Sequence, residues 1–142
     1  MTRIDFYSNA ESKLQVVCQL VAKAVREQLQ VVVYAPDQNT ARSFDKLLWT
    51  YQAIGFVPHC LASDALASET PVVIAHDDSE MAHYRVLINL HAESPPPFSR
   101  FERLIEIVGT DEDDRQSARN RFRFYRDRGY EIRHHDLAKS TP

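Results

Sequence analysis

The sequence predicts one α/β domain over residues 1–142. Short apolar runs alternate with segments that have helical apolar spacing, and no internal repeat or low-complexity tract interrupts this alternation. The length of 142 residues fits a single domain, and the content of 44% hydrophobic and 26% charged residues is close to the globular average. A disordered chain or a coiled coil is therefore not expected.

Five short segments are predicted to be strands, because apolar and aromatic residues dominate them or alternate along them. They cover residues 3–7, 31–34, 72–75, 85–90 and 103–108, and residues 130–134 are predicted to add an edge strand. The sequence from Ser94 to Phe98 reads SPPPF, and its three prolines exclude regular structure. This segment is predicted to be a stiff connector.

Three helices are predicted from apolar spacing and from residues typical of helix ends. The first is capped by Ser8 or Asn9, the second follows a turn at residues 36–39, and the third runs from Asp113 to Arg128 and stops at Gly129. The expected core stripes are Leu14, Val17, Cys18, Val21 and Val25 on the first helix and Ala41, Phe44, Leu48 and Tyr51 on the second.

Secretion and membrane insertion are not indicated. The first ten residues contain no apolar signal-peptide core, and the chain has no uncharged run of about 18 apolar residues. The two cysteines, Cys18 and Cys60, are too few for a disulfide framework and are expected to be reduced thiols. A cytoplasmic location is expected.

No cofactor, metal or catalytic residue is expected. A dinucleotide site needs glycines at the first strand-to-helix turn, but the segment from Tyr7 to Glu11 contains none. His59 and Cys60 are adjacent, so in an extended segment they point to opposite faces. The segment from His76 to His83 matches no recognised metal-ligand spacing and is expected to be a solvated acidic loop.

The positive charge of the chain is concentrated near its C-terminus. Residues 115–133 contain seven arginines and two acids, a charge of +5, so with a net charge of −3 the remainder carries −8. Such asymmetry predicts a local anion-binding face on an acidic body.

The third predicted helix shows how this face is built. Helical geometry places Ala118, Phe122, Tyr125 and Gly129 on one narrow stripe that should face the sheet. A basic band flanks that stripe and consists of Arg115, Arg119, Arg123 and Arg126. Phe122 lies at the seam, the boundary between the apolar stripe and the basic band. Guanidinium groups beside an apolar lip suit an acidic peptide. Two other hypotheses remain at this point: single-stranded nucleic acid stacked on Phe122 and Tyr125, and a small enzyme that uses His76, His83 or Cys60.

Trp49 lies off the core stripe of the second helix, and an aromatic and apolar cluster follows it. One interpretation is a hydrophobic patch for a partner, formed by Trp49, Phe56, Val57 and Pro58. The other is that Trp49 folds over the sheet edge while Phe56 and Val57 form a buried strand. The residues favour neither.

Several segments, in this order and spacing, resemble the chi subunit family of bacterial DNA polymerase III holoenzyme. They are Ile4 to Tyr7, Trp49, Gly55 to His59 and Ala118 to Arg126 closing on Gly129. The resemblance implies a Rossmann-like, mostly parallel sheet flanked by helices, without a dinucleotide site. It also implies a non-catalytic accessory subunit of the DNA-directed DNA polymerase complex in DNA replication.

The same resemblance implies an adaptor that joins the psi subunit of the clamp loader to the acidic C-terminal tail of single-stranded-DNA-binding protein. DNA is then contacted mainly indirectly, and the chain is expected to be a monomer alone and a heterodimer with psi. The tail is expected on Arg115, Arg119, Phe122 and Arg123, with Arg126 added from helix geometry, and psi on Trp49, Phe56, Val57 and Pro58. Replacing Arg119 or Arg123 with alanine is expected to weaken tail binding by about 1–3 kcal/mol.

Overall fold

The computed structural model describes residues 1–51, 58–77 and 81–138. The strands are β1 (Arg3–Ala10), β2 (Val31–Tyr34), β3 (His59–Leu61), β4 (Val72–Ala75), β5 (Val86–Asn89), β6 (Arg103–Gly109) and β7 (Ile132–Asp136). The helices are α1 (Lys13–Arg26), α2 (Gln38–Thr50) and α3 (Glu112–Asp127), and short 3-10 turns lie at Ala67–Glu69 and Phe98–Arg100. No helix in the described ranges is long and apolar enough to cross a membrane.

The seven strands form one sheet in the order β3-β4-β2-β5-β6-β1-β7, and every neighbouring pair is parallel. The central strands β2, β4 and β5 are buried along their whole length, as expected where helices cover both faces. The predicted Rossmann-like α/β fold is confirmed.

The helices divide between the two faces of the sheet. On one face, α1 and α2 pack against strands that include β2, β4, β5 and β6. The buried helix residues on this face are Val17, Cys18, Val21, Ala41, Phe44 and Leu48. On the other face, α3 and the turn at Phe98–Arg100 cover the sheet through Ala118, Tyr125, Phe98 and Phe101. Both cysteines are free thiols, and burial raises the pKa of the Cys18 thiol to about 11.

The predicted cap of the first helix is wrong. Strand β1 continues through Ser8, which pairs with Asp136 of β7, and the cap is Ser12, whose Oγ accepts a hydrogen bond from the Gln15 amide. The reason is a β-bulge between Tyr7 and Ala10, where Asn9 adopts a φ of +62°. The bulge lets the chain remain in the sheet beyond the predicted end of the strand.

The stripe of α3 that faces the sheet also differs from the prediction. Its buried residues are Ala118, Arg121 and Tyr125, whereas Phe122 is 36% exposed and Gly129 lies in solvent. Arg121 is spaced three residues from Ala118 and four from Tyr125, so helix geometry places it on their face. An arginine occupies that position because β6 presents a buried carboxylate to it.

That carboxylate belongs to Glu106, which is fully buried at the centre of the sheet. Its oxygens accept hydrogen bonds from Arg121 Nε at 3.0 Å, Asn89 Nδ2 at 3.0 Å and the Tyr125 hydroxyl at 2.6 Å. Burial raises the pKa of the Glu106 carboxyl, and the positive charge of Arg121 opposes this rise. The cluster of Glu106, Arg121, Tyr125 and Asn89, here called the Glu106 cluster, attaches α3 to β5 and β6.

The Glu106 cluster makes Arg121 a structural residue and predicts that Arg121→Met strongly destabilises the fold. Removing one partner leaves the other charge buried and unpaired, which costs about 3–5 kcal/mol. Urea unfolding followed by circular dichroism measures the loss. Arg119→Met is the matched control, because Arg119 is exposed on the same helix, and it should change stability by less than about 0.5 kcal/mol. Equal stability of the two variants would show that the cluster does not hold the helix.

Candidate functional site

A groove lies between α3 and the strands β1 and β7, at one edge of the sheet. Its volume is about 280 Å³, close to the lower end of the range of roughly 300–1,000 Å³ found for small-ligand sites. Phe6, Val108 and Ala118 form an apolar floor, and all three are buried. Such a groove accommodates one large apolar side chain.

The strand register determines which side chains from β1 and β7 line the groove. Phe6 pairs with His134 and Ser8 pairs with Asp136, and alternate residues of a strand share one face. Phe6, Ser8 and His134 therefore lie together on the face that α3 covers. His134 Nε2 and Ser8 Oγ are 2.9 Å apart, which joins the two strands at the rim.

Phe122 of α3 provides an aromatic wall. Its ring meets the ring of Phe6 edge-to-face, with centroids 5.6 Å apart, and about a third of its surface remains open to solvent. This contact fixes one edge of the Phe122 ring and leaves the other edge as an exposed apolar surface beside the groove. The prediction of Phe122 at the seam between core and surface is confirmed, although its assignment to the buried stripe is not.

Arg115 and Arg119 bring positive charge to the groove. Arg115 Nη2 donates a hydrogen bond to Asn9 Oδ1 at 3.2 Å, and no carboxylate among the described residues forms an ion pair with it. Arg119 Nη2 pairs with Glu112 at 2.7 Å and with Gln116 Oε1 at 3.0 Å. Because both guanidinium groups are exposed beside an apolar floor, the groove can bind a carboxylate and an apolar group together.

The other two arginines of the predicted band lie outside the groove lining. Arg126 is exposed and pairs with its neighbour Asp127 at 3.1 Å. Arg123 is exposed, and within the described ranges it has no hydrogen-bond or ion-pair partner. Both lie on α3 beyond Phe122, so they extend the positive surface along the helix. The structure thus brings together Arg115, Arg119 and Phe122 of the five predicted residues.

Sequence reasoning missed the residues that the strands contribute to the groove, including the polar residues Ser8, Asn9 and His134. Their positions depend on the pairing of β1 with β7, which joins segments about 126 residues apart in sequence. The predicted edge strand at residues 130–134 was the available signal, because pairing it with the first strand brings His134 to this face.

The predicted patch around Trp49 lies at the opposite edge of the sheet. Trp49, at the end of α2, is 60% exposed, and its ring meets His59 of β3 edge-to-face with centroids 4.8 Å apart. His59 Nε2 also lies 3.3 Å from Asp45 Oδ1, and Pro58 is exposed. Trp49 therefore packs on the edge strand and still presents most of its surface. Phe56 and Val57 lie outside the described residues.

The structure does not support the two competing hypotheses, direct binding of single-stranded nucleic acid and a small enzyme. Tyr125 is fully buried and cannot serve as a stacking platform. His83 is also buried, contrary to the expected solvated loop, and burial lowers its pKa. Cys60 is partly buried, and His76 is exposed beside Asp77. Over the ranges 1–51, 58–77 and 81–138, no three His, Cys, Asp or Glu residues are arranged to hold a metal ion.

Comparisons with known proteins agree on one family. The profile of the family described as DNA polymerase III chi subunit, HolC matches residues 1–133. The chain is similar to the DNA polymerase III subunit chi of Pseudomonas aeruginosa, with 36% identity over 98% of this chain and 99% of the relative. It is also similar to that of Escherichia coli, with 30% identity over 92% of this chain and 88% of the relative. The corresponding protein of Haemophilus influenzae is 29% identical over 83% of each chain. The chain therefore belongs to the DNA polymerase III chi subunit family.

Proposed function

We propose that this accessory subunit is an adaptor with two docking surfaces. The groove between α3, β1 and β7 captures the acidic C-terminal tail of single-stranded-DNA-binding protein, and the Trp49 patch binds the psi subunit of the clamp loader. The subunit acts in the cytoplasm at the replisome, and it brings the clamp loader to single strands that carry the binding protein. It contributes contacts rather than catalysis.

The observation that carries the first half of this proposal is the composition of the groove. An acidic tail that ends in an aromatic residue needs an apolar slot for the ring and cations for the carboxylates. The slot is formed by Phe6, Val108 and Phe122, and the cations are Arg115 and Arg119. Arg123 and Arg126 extend the positive surface toward acidic residues that precede the end of the tail.

The second half of the proposal is supported by the exposure of Trp49. A tryptophan with 60% of its surface in solvent is a typical anchor for a protein partner. Its contact with His59, which is itself close to Asp45, restrains the indole. A rigid anchor loses less conformational entropy when a partner docks.

The two surfaces lie at opposite edges of the sheet, because Trp49 packs on β3 and the groove is bounded by β7. Six inter-strand spacings of about 4.8 Å separate these edge strands by roughly 29 Å. Two partners at that separation can bind at the same time, which an adaptor requires.

Tail capture predicts that Arg119→Ala weakens binding of the tail peptide by about 1–3 kcal/mol, since a charged contact beside an apolar seam is lost. Isothermal titration calorimetry with the C-terminal peptide from the same organism measures the effect. Arg100→Ala is the charge-matched control, because Arg100 lies over the Tyr84 ring, outside the groove, and it should leave the affinity unchanged. Arg123→Ala should have a smaller effect than Arg119→Ala.

Two further ligands separate the adaptor from a direct nucleic-acid binder. A peptide that lacks its terminal aromatic residue should bind much more weakly, and a naked oligonucleotide should not compete. Binding of the oligonucleotide alone, with a steep dependence on salt, would instead support the nucleic-acid hypothesis. Equal loss in Arg119→Ala and Arg100→Ala would mean that the groove is not the tail site.

Psi binding predicts that Trp49→Ala weakens the complex with psi by about 2 kcal/mol or more, as expected for an exposed aromatic residue that becomes buried when the partner docks. Leu66→Ala is a matched control, because Leu66 is also 60% exposed but lies in the loop after β3. Surface plasmon resonance with immobilised psi compares the variants, and circular dichroism checks that both are folded. Unchanged affinity of the folded Trp49→Ala variant would place psi elsewhere.

A further inference from the structure

The backbone at Asn9 has a conformation that few residues adopt. Its φ is +62°, in the left-handed region, and it lies within the bulge between Tyr7 and Ala10. Asparagine enters this region more readily than most residues other than glycine. Unusual backbone of this kind is often found where a side chain must be presented at a functional site.

The side chain of Asn9 joins two walls of the groove. Its Nδ2 donates a hydrogen bond to Asp136 Oδ1 of β7 at 2.7 Å, and its Oδ1 accepts one from Arg115 Nη2 of α3 at 3.2 Å. One amide thus donates and accepts at once, which a carboxylate or a glycine cannot do. The bridge connects segments 127 and 106 residues away from Asn9 in sequence.

We propose that Asn9 is a positioning residue that holds the Arg115 guanidinium over the groove while leaving its charge uncompensated. This inference rests on the proposed tail-binding function. An aspartate at the same position would pair with Arg115 and cancel the charge that the tail needs. The neutral oxygen of Asn9 fixes the orientation of a flexible side chain before the peptide arrives, which reduces the entropy lost on binding.

Asp136 is part of the same arrangement, because it accepts the Asn9 amide and thereby fixes which way the amide points. With Nδ2 turned toward Asp136, Oδ1 must face Arg115. Asp136 Oδ1 also accepts the backbone amide of Ala138 at 3.0 Å, so its own position is restrained. The two hydrogen bonds therefore form a chain from Asp136 of β7 through Asn9 of β1 to Arg115 of α3.

The test is a double-mutant cycle in which the affinity for the tail peptide is measured by calorimetry. Asn9→Gly keeps the backbone conformation and removes the amide, and it should weaken binding roughly two- to tenfold, the value of one hydrogen bond. In an Arg115→Ala background, Asn9→Gly should have no further effect. In an Arg126→Ala background it should have its full effect. Thermal unfolding confirms that each variant is folded.

A second pair of variants avoids any change at Asn9. Asp136→Asn and Asp136→Ala remove the same charge, but only asparagine keeps an oxygen that accepts the Asn9 amide. Tail affinity should therefore be higher for Asp136→Asn than for Asp136→Ala.

The outcomes separate this inference from the proposed function. If Arg115→Ala weakens binding but Asn9→Gly does not, or if the two effects add, Asn9 does not act through Arg115 and the inference is wrong. Equal affinities for Asp136→Asn and Asp136→Ala would also overturn it. If Arg115→Ala leaves the affinity unchanged, the groove is not the tail site and the proposed function itself fails.

Discussion

The buried ion pair between Glu106 and Arg121 determines how α3 is oriented on the sheet. A carboxylate at the centre of a parallel sheet is costly unless it is paired and hydrogen-bonded, and Arg121, Tyr125 and Asn89 meet this need. Two of these three partners are on α3, so the orientation of that helix is fixed by the chemistry of β6. Because Arg121 faces inward, Arg115, Arg119 and Phe122 lie on the side of α3 that borders β1 and β7.

The same constraint explains why the groove combines two kinds of chemistry. The floor is a continuation of the core on the α3 face, since Phe6 and Ala118 belong to both. The rim carries arginines whose charges are exposed or only partly balanced. An apolar floor favours a ring and arginines favour carboxylates, so the composition of the groove is suited to a ligand with both features. The acidic body of the protein, with its charge of −8 outside residues 115–133, adds to this selectivity by repelling polyanions elsewhere.

Most of the fold could be predicted from the sequence, because the apolar runs of the central strands and the spacing on α1 and α2 are strong local signals. Arg121 illustrates what could not be predicted. Its spacing from Ala118 and Tyr125 is compatible with burial, but a charged side chain is expected in solvent unless a buried partner such as Glu106 lies opposite it. Glu106 was itself a signal, as a lone acid inside the apolar run of β6. Asn9 and His134 reach the groove only because β1 pairs with β7 in one register. Local sequence patterns do not specify the register between segments so far apart.

The proposed function requires that two partners bind at opposite edges of one sheet without excluding each other. The most direct test is a fluorescence anisotropy titration of the labelled tail peptide into the chain alone and into the chain saturated with psi. The same dissociation constant is expected in both titrations, because the edges at β3 and β7 lie roughly 29 Å apart. Displacement of the peptide by psi, or absence of peptide binding in both titrations, would show that the chain does not join the two partners in this way.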